Sequence, residues 1–523
     1  MKRLTIAKPF LTVLPALAIV PVFIGIIHGF HAGGMDIVYR FFTASITPSL
    51  DQLVIKSALQ GLQTTIFTAL FAWSISIINA IFFGIICSNL FSSIFEIPKF
   101  YTNIIKYFLI LPRSIHEVIW GLLLLQLFGL NPWVAIFAIA IPYSSLMSRV
   151  ICDQINTLNE KEFIAIKDSG ANPLEVLIII LIPKILPIIW VYGFYRLECA
   201  LRGATMLGVF GLGGIGTELK LSIQSLQFNE MWTSLWLLAL IMIILEKSVE
   251  YMQQRKISKN GNDKYLIFTV FIILGSSLVS FFALRYINND FAVPISFHPI
   301  AMPSVNSIVL SFRTLPMFNL IGETLVLTIL AAGIAIGTPP ILLILCRAKL
   351  LEELITYGWL FFRLIPAPLS ALLILFCTTP GISVASLALG LYNMGVMGRL
   401  LKENINKNTD VFYHGFFAAG ASERAAWLYG KLSSQTNSYL AYSAYRSDVI
   451  LRETAVMGLV GGSGLGWQLQ ESLSSFNWSE VFVISAMFTL LTIIGETSSY
   501  TMQRQWQSRL NINQGFHLKA VSQ

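Results

Sequence analysis

Apolar runs of about twenty residues alternate with short polar stretches along nearly the whole chain, the pattern of a protein that crosses a bilayer repeatedly. Runs over residues 10–30, 64–90, 107–127, 133–151, 176–206 and 231–245 predict six spans in the first half. Runs over 265–283, 320–345, 355–377, 384–397, 425–455 and 481–500 predict six in the second. The expected class is an all-α integral membrane protein with about twelve transmembrane helices in two tandem six-helix halves. The expected boundaries are 1–251 and 265–503 for the halves, 252–264 for a cytoplasmic linker and 504–523 for a cytoplasmic tail. The run 10–30 exceeds the 7–15 apolar residues of a signal peptide, so it is expected as a retained first helix. Pro183 and Pro187 predict a kink in the fifth span.

Composition agrees with that pattern. Of 523 residues, 55% are hydrophobic and 12% charged, against roughly 25% charged in soluble domains. The net charge of +8 raises nucleic acid as a partner, but the basic residues sit at the ends of apolar runs rather than in one patch, so a lipid bilayer is expected and nucleic acid is not. Lys247, Arg255, Lys256, Lys259 and Lys264 crowd the central connector, which places it and both termini on the cytoplasmic side. The five cysteines form no CxxC pair, and neither a metal site nor a disulfide framework is expected. No Gly-x-x-x-x-Gly-Lys-Ser/Thr run is present, so no ATP site is expected on the chain, and no nucleophile–base pair marks an enzyme.

One element occurs twice. Tyr195-Arg196-Leu197-Glu198 leads through Arg202 to Gly208, Gly211, Gly213, Gly214 and Gly216, and Tyr445-Arg446-Ser447-Asp448 leads through Arg452 to Gly458, Gly461, Gly462, Gly464 and Gly466. The register shift is constant at 250 positions (196 to 446, 202 to 452, 216 to 466). Each copy ends a long apolar run, and charge at that depth is costly enough to suggest function. Glu198 and Arg202 are four residues apart, as are Asp448 and Arg452, so each pair can close along a helix face as a neutralised structural pair. Arg196 and Arg446 have no acid four residues away and are the candidates to face a cavity. Two such guanidiniums repel unless an anion sits between them, and an oxyanion suits the planar donor fork of arginine. Snorkelling of both arginines to the headgroups is the competing reading. Tyr195, Tyr445, Arg202 and Arg452 complete the expected substrate-pathway set. The glycine clusters follow a span rather than a strand, so they read as tight turns or close helix packing and not as a dinucleotide loop. Arg113 has Glu117 four residues on, which predicts a helix-face pair.

Two inner loops also correspond. Gly170 follows Glu160-Lys161-Glu162-Phe163-Ile164-Ala165 and precedes Ala171 and Ile180-Leu181-Ile182-Pro183; Gly420, 250 positions on, precedes Ala421. A small-residue turn between short helices makes a knob that admits close backbone approach by another protein, although each glycine is also a plain helix cap. This loop resembles the coupling-loop signature of ABC importer permeases (Glu-Ala-Ala, three residues, Gly, nine residues, Ile-x-Leu-Pro): Ala165, Gly170, Ile180, Ile182 and Pro183 match, while Ile164 stands at the glutamate position. The second loop departs further, with His414 at that position and no proline in Gly430-Lys431-Leu432-Ser433. Together with Arg113-Ser114-Ile115-His116-Glu117-Val118-Ile119-Trp120, the arginine–glycine run resembles the phosphonate-transport permease family, although His116 replaces a proline and Pro366-Ala367-Pro368-Leu369 replaces the Arg-Ser-Ile stretch in the second half.

That resemblance implies a type I ABC importer permease with two permease halves fused in one chain. It implies a phosphonate or phosphite cargo, a separate homodimeric ATPase that binds Mg-ATP and docks on the loops of Ala165, Gly170, Ala171, Gly420 and Ala421, and an extracytoplasmic binding protein. The alternatives are a fused permease for iron or thiamine, whose relatives lack the arginine–glycine run, and an ion-coupled secondary transporter, which would need mid-span acids that are nearly missing here.

Overall fold

The computed structural model describes residues 9–254, 263–287, 303–346, 349–407 and 411–520; most of the expected linker lies outside them. Among the described residues the protein is helical apart from one isolated bridge between Phe30 and Thr378. In chain order the helices that matter here are α1 (Ile19–Gly29), α2 (Gln52–Ile86), α3 (Asn89–Phe95), α4 (Lys99–Phe108), α5 (Glu117–Phe128), α6 (Pro132–Ile155), α7 (Glu160–Asp168), α8 (Ile182–Leu207), α9 (Ile215–Gln224) and α10 (Phe228–Gln254). The series continues with α11 (Asp263–Ile287), α12 (Met317–Leu345), α13 (Lys349–Leu364), α14 (Ala367–Leu375), α15 (Ile382–Lys407), α16 (Val411–Ala418), α17 (Ser433–Met457), α18 (Leu465–Ser474) and α19 (Trp478–Ala520). Seven described helices are long and apolar enough to cross a membrane, and three further helix pairs pass that test together but are bent at a break.

Two compact units form, and they cross the boundaries read from the sequence repeat. One comprises Met1–Tyr39 with Ala301–Gln523, the other Arg40–Ile300. The leading helix of each half therefore belongs to the unit built by the other half. In the unit that holds Arg446, the N-terminal segment lies on α12: a Cβ added at Gly333 would stand 2.4 Å from the Ala18 Cβ, and one at Gly337 would stand 2.1 Å from the Ala16 backbone. Small residues at such contacts let helix backbones approach closely. In the unit that holds Arg196, α11 lies on α2, with Ser74 and Ser276 hydroxyls 3.0 Å apart and the Phe71 and Phe281 rings at 6.0 Å. Sequence repeats record which segments share a plan, whereas compactness records which segments touch, and here the two differ by one helix.

Capping side chains set the helix starts. Asp51 accepts from the Leu53 N–H at α2, and Asn131 accepts from the Trp133 N–H at α6, where Pro132 occupies the first turn and lacks an amide that would need a partner. The cores lie among the long helices: Trp73, Ile77, Met147, Ile151, Phe163 and Leu181 in one unit, Leu327, Ala335, Trp359, Met397 and Tyr439 in the other.

Three expectations about spans change. The run 107–127 is not straight: the chain is extended at Ile115 and His116, and α5 leaves the preceding helical segment at 87°. His116 caps α5 by accepting from the Val118 N–H through Nδ1 at 3.2 Å. The run 355–377 breaks at Pro366, 250 positions on, because a proline there cannot donate the helical hydrogen bond. The run 176–206 opens with a π-turn over Val176–Leu181 before α8 begins, with Pro183 in its first turn; Trp427–Leu432 repeats that π-turn before α17.

The glycine runs prove to be tight turns and close packing at once. Gly211, Gly213, Gly214, Gly461 and Gly464 have positive φ, which L-residues with a side chain rarely adopt. They turn the chain into α9, bent 54° from the preceding helix, and into α18, where plain outer loops are expected from the sequence. Neither of these helices has a capping side chain of its own, since Gly214 and Gly464 stand at the N-caps. A threonine from the neighbouring helix does the capping. Thr65 Oγ1 accepts from the Ile215 N–H at 2.9 Å and Thr324 Oγ1 from the Leu465 N–H at 2.9 Å. Thr65→Val leaves that amide buried without an acceptor and is expected to cost about 1–2 kcal/mol. Thermal unfolding of the purified protein checks this: Thr65→Ser should hold the wild-type midpoint, and an equal fall in both variants would show that the methyl group matters instead.

Candidate functional site

The duplicated arginine element forms two chemically different sites, one in each unit. On α8 the Glu198–Arg202 pair closes one turn apart, and on α17 the Asp448–Arg452 pair does the same. Glu198, Asp448 and Arg452 are all buried. The four-residue spacing thus places these charges where they neutralise one another.

Arg196 is 6% exposed and sits in an aromatic box. Its Nε and Nη2 donate to the Tyr192 hydroxyl at 2.8 and 2.5 Å. Its guanidinium carbon lies 5.0 Å from the Tyr192 ring centre, 5.6 Å from Tyr143 and 5.7 Å from Tyr195. Ring faces attract a cation, each contributing about 0.5–2 kcal/mol according to desolvation, so the charge is held by quadrupoles as well as hydrogen bonds. Tyr195 was legible as a neighbour. Tyr192, one turn before the arginine, was equally legible by spacing, whereas Tyr143 comes from α6 and carries no sequence signal.

Arg446 is held differently. Its Nε donates to Asn393 Oδ1 at 2.5 Å, its Nη2 lies 3.4 Å from Glu453 Oε1, and Asn393 Nδ2 donates to the other Glu453 oxygen at 2.7 Å. All three residues are buried. Arg446 has no acid four residues away, as its spacing reads, but it does have one seven residues on, two helical turns away and on the same face. Tyr445 packs on Tyr442 at 5.7 Å.

A register comparison explains the difference. Asn393 stands where the other half has Tyr143, and Glu453 stands where it has Gly203. A Cβ added at Gly203 would lie 3.5 Å from Glu117 Oε1 and 3.6 Å from the Tyr143 hydroxyl. In the Arg196 unit the carboxylate of this region thus comes from the start of α5, where Tyr143 Oη lies 3.4 Å from Glu117 Oε1. The matching position on α14 is Ala367, and the acid has moved onto the arginine helix itself as Glu453. Each half keeps one carboxylate in the same place by a different route. Glu117 is accordingly not a helix-face partner four residues after Arg113, since the helix breaks between them.

The two inner loops are built with unequal support. On α7, the Ser93 hydroxyl donates to Glu160, Lys167 pairs with Glu96 at 2.6 Å and Lys184 with Glu162 at 2.8 Å. Lys167 and Lys184 hold the Glu96 and Glu162 carboxyls below their ordinary pKa by hydrogen bonding and charge. Phe163 anchors the helix in the core, with the Lys184 ammonium 4.8 Å from its ring centre. Ala165 lies within α7 and its carbonyl accepts from Ser169 N–H; Gly170 turns the chain at φ +103°, and Ala171 packs against the core. Around Gly420, with φ +84°, the Ala421 N–H donates to the Phe416 carbonyl, and Lys431 lies 4.8 Å from the Tyr413 ring centre. Phe416 and Phe417 are exposed there. The connector that carries α3 in the Arg196 unit is nine residues shorter in the other: Cys87 to Lys99 against Cys346 to Lys349. Ser93 and Glu96 have no counterpart, so α16 lacks both braces.

Among the described residues no cluster of three metal-binding side chains occurs. Residues 80–293 match the family model of the binding-protein-dependent transport system inner membrane component. The chain is 21% identical over 414 residues to the phosphate-import permease protein PhnE of Mycolicibacterium smegmatis, covering 75% of this chain and 76% of that protein. It is 28% identical over 133 residues to the phosphite transport system permease protein PtxC of Stutzerimonas stutzeri, which spans 25% of this chain and about half (48%) of that relative. It is 23% identical over 504 residues to an ABC transport system permease protein of Mycoplasma genitalium, covering 89% of this chain and 88% of that one. The helical architecture, the matched domain and these relatives make the chain a multi-span permease of the ABC importer type, akin to the phosphonate and phosphite permeases, and a transport component rather than an enzyme.

Proposed function

We propose that this chain forms the membrane passage of an importer for a small phosphorus oxyanion, phosphonate or phosphite, driven by a separate ATPase. The observation that carries this reading is the pair of buried guanidiniums, Arg196 and Arg446, on equivalent helices of a chain whose relatives are named for phosphate and phosphite transport. Burial argues against headgroup snorkelling, which would leave the guanidiniums in water. Arg196 offers its planar donor fork from an aromatic box, and Arg446 offers its own from a carboxylate–amide clamp, so the half-sites differ in how readily each yields to an anion. Arg196 is the stronger ligand in this proposal, because the Tyr192 hydroxyl that takes its Nε and Nη2 donors is a neutral acceptor, which an anion displaces more readily than the Glu453 carboxylate at Arg446.

The loops around Gly170 and Gly420 are the docking knobs for the ATPase, which supplies Mg-ATP hydrolysis. An extracytoplasmic binding protein delivers the cargo. Both termini and both knobs lie on the cytoplasmic side of a bacterial inner membrane, as the lysines and arginines of the central connector favour. Reconstitution of the chain with its ATPase and binding protein in vesicles tests the proposal. ATP-dependent accumulation of labelled phosphite or methylphosphonate is expected. Accumulation of thiamine or ferric ion instead, or of the oxyanion without ATP, would replace it with one of the alternatives.

A further inference from the structure

The two units differ at one more place, at the end of α6 that leads into α7. In the Arg196 unit a cavity of about 230 Å³ lies between α4, the end of α2 and α6. Lys106, Arg113 and Arg149 supply three cations to its wall, Asp153 one carboxylate, and Ser148 and Cys152 part of the floor. Arg149 Nε stands 3.7 Å from Asp153 Oδ2, and the Asp153 side chain is 60% exposed, so the lining keeps a positive excess.

The other unit has the same framework but has closed this space. Leu109 is replaced by Trp359, which is 2% exposed, and Ser145 and Ser148 by Gly395 and Gly398. A Cβ at Gly398 would lie 2.4 Å from the Trp359 indole, and one at Gly395 would lie 2.5 Å from its carbonyl oxygen, so both glycines are needed to seat the tryptophan. Charge is closed off as well. Thr356 takes the place of Lys106, and Lys402, in the place of Cys152, donates to Thr356 at 2.7 Å and pairs with Glu352 at 3.6 Å. The Arg149–Asp153 pair is repeated as Arg399–Glu403. One half is plugged and sets two carboxylates, Glu352 and Glu403, against Arg363, Arg399 and Lys402, whereas the other is open and sets one against three cations.

We propose that the open cavity is a second phosphorus-oxyanion site, separate from the arginine element and present in the Arg196 unit only. Lys106, Arg113 and Arg149 hold the anion through charge-assisted hydrogen bonds. Its bearer is either a free phosphate-type anion or the headgroup of an anionic phospholipid. The second source is supplied by α4, whose exposed Ile104, Tyr107 and Phe108 form an apolar flank beside the cavity. The site does not depend on where cargo binds along α8.

The full-length chain, purified in neutral detergent, tests this with two probes. Equilibrium dialysis reads inorganic phosphate, and native mass spectrometry reads retained phosphatidylglycerol. Two variants remove the site by different means. Lys106→Gln lowers its charge and should weaken binding about tenfold. The triple change Leu109→Trp, Ser145→Gly and Ser148→Gly copies the plug of the other half and should abolish the same Lys106-dependent part of the binding while the chain still purifies as a folded species. Phosphate binding lost in both variants supports a free-anion site; retained lipid lost in both supports a lipid site. Arg196→Gln removes the guanidinium of the arginine element instead, and the Lys106-dependent part of the phosphate binding and the retained lipid should persist in it. Unchanged binding of both probes in Lys106→Gln and in the plugged variant overturns the proposal, as does phosphate binding that disappears only in Arg196→Gln.

Discussion

Replacing Arg196 and Arg446 together by alanine is expected to abolish oxyanion uptake, at least a hundredfold below wild type. Each charge-assisted hydrogen bond to the cargo contributes about 1.5–3 kcal/mol, and two guanidiniums supply several. The single variants separate function from folding. Arg196→Ala removes a cation that lies against the Tyr192, Tyr143 and Tyr195 rings and donates to the Tyr192 hydroxyl, and uptake per amount of protein should be severely reduced. Arg446→Ala strands Glu453 and Asn393 in a buried site, and a broken buried ion pair costs about 3–5 kcal/mol. Its yield should therefore fall, and adding Glu453→Gln should restore the yield but not the uptake. Uptake in membrane vesicles, normalised to protein amount, is the measurement. Wild-type uptake by the double variant would remove both arginines from the passage. Recovery of uptake in Arg446→Ala/Glu453→Gln would make Arg446 a structural residue only.

Much of this arrangement was legible from spacing alone, and what was not has a physical reason. The Glu198–Arg202 and Asp448–Arg452 pairs were readable because a helix puts residues four apart on one face. The clamp on Arg446 was not, because Asn393 reaches it from another helix and Glu453 lies two turns on. The capping of α9 by Thr65 and of α18 by Thr324 is equally invisible along the chain: the partners are about 150 and 141 positions apart, and the N-cap glycines carry no donor or acceptor side chain to flag them. The repeat itself was plain in a shift of 250 positions. Hydropathy gives the length of an apolar segment but not the neighbour it covers, so the exchange of the leading helices between the compact units could not be read from it. The bends before α5 and at Pro366 were hidden for the same reason: apolar residues on both sides of a break look like one span.

The loop asymmetry gives the second large effect. Gly170→Glu is expected to weaken association of the ATPase more than Gly420→Glu does, by at least tenfold against a few-fold in a pull-down titration. At both glycines an added side chain would meet open space, so neither substitution is opposed by neighbours and the side chain projects outward. Both also sit at positive φ, where a glutamate is strained to a similar degree. The difference must then come from how far each loop can adjust. Around Gly170, α7 is fixed to α3 through Ser93 and Glu96 and to α8 through Lys184, so a protruding carboxylate stays where the partner has to approach. Around Gly420, the nine-residue deletion has removed the α3 braces, and the exposed Phe416 and Phe417 offer contact area that a shifted loop still presents. Removing the braces from the first loop with Ser93→Ala and Glu96→Gln should accordingly bring the Gly170→Glu penalty down towards that of Gly420→Glu. Equal penalties in the otherwise wild-type chain would show that the two loops couple alike and that the braces serve only the stability of their own unit.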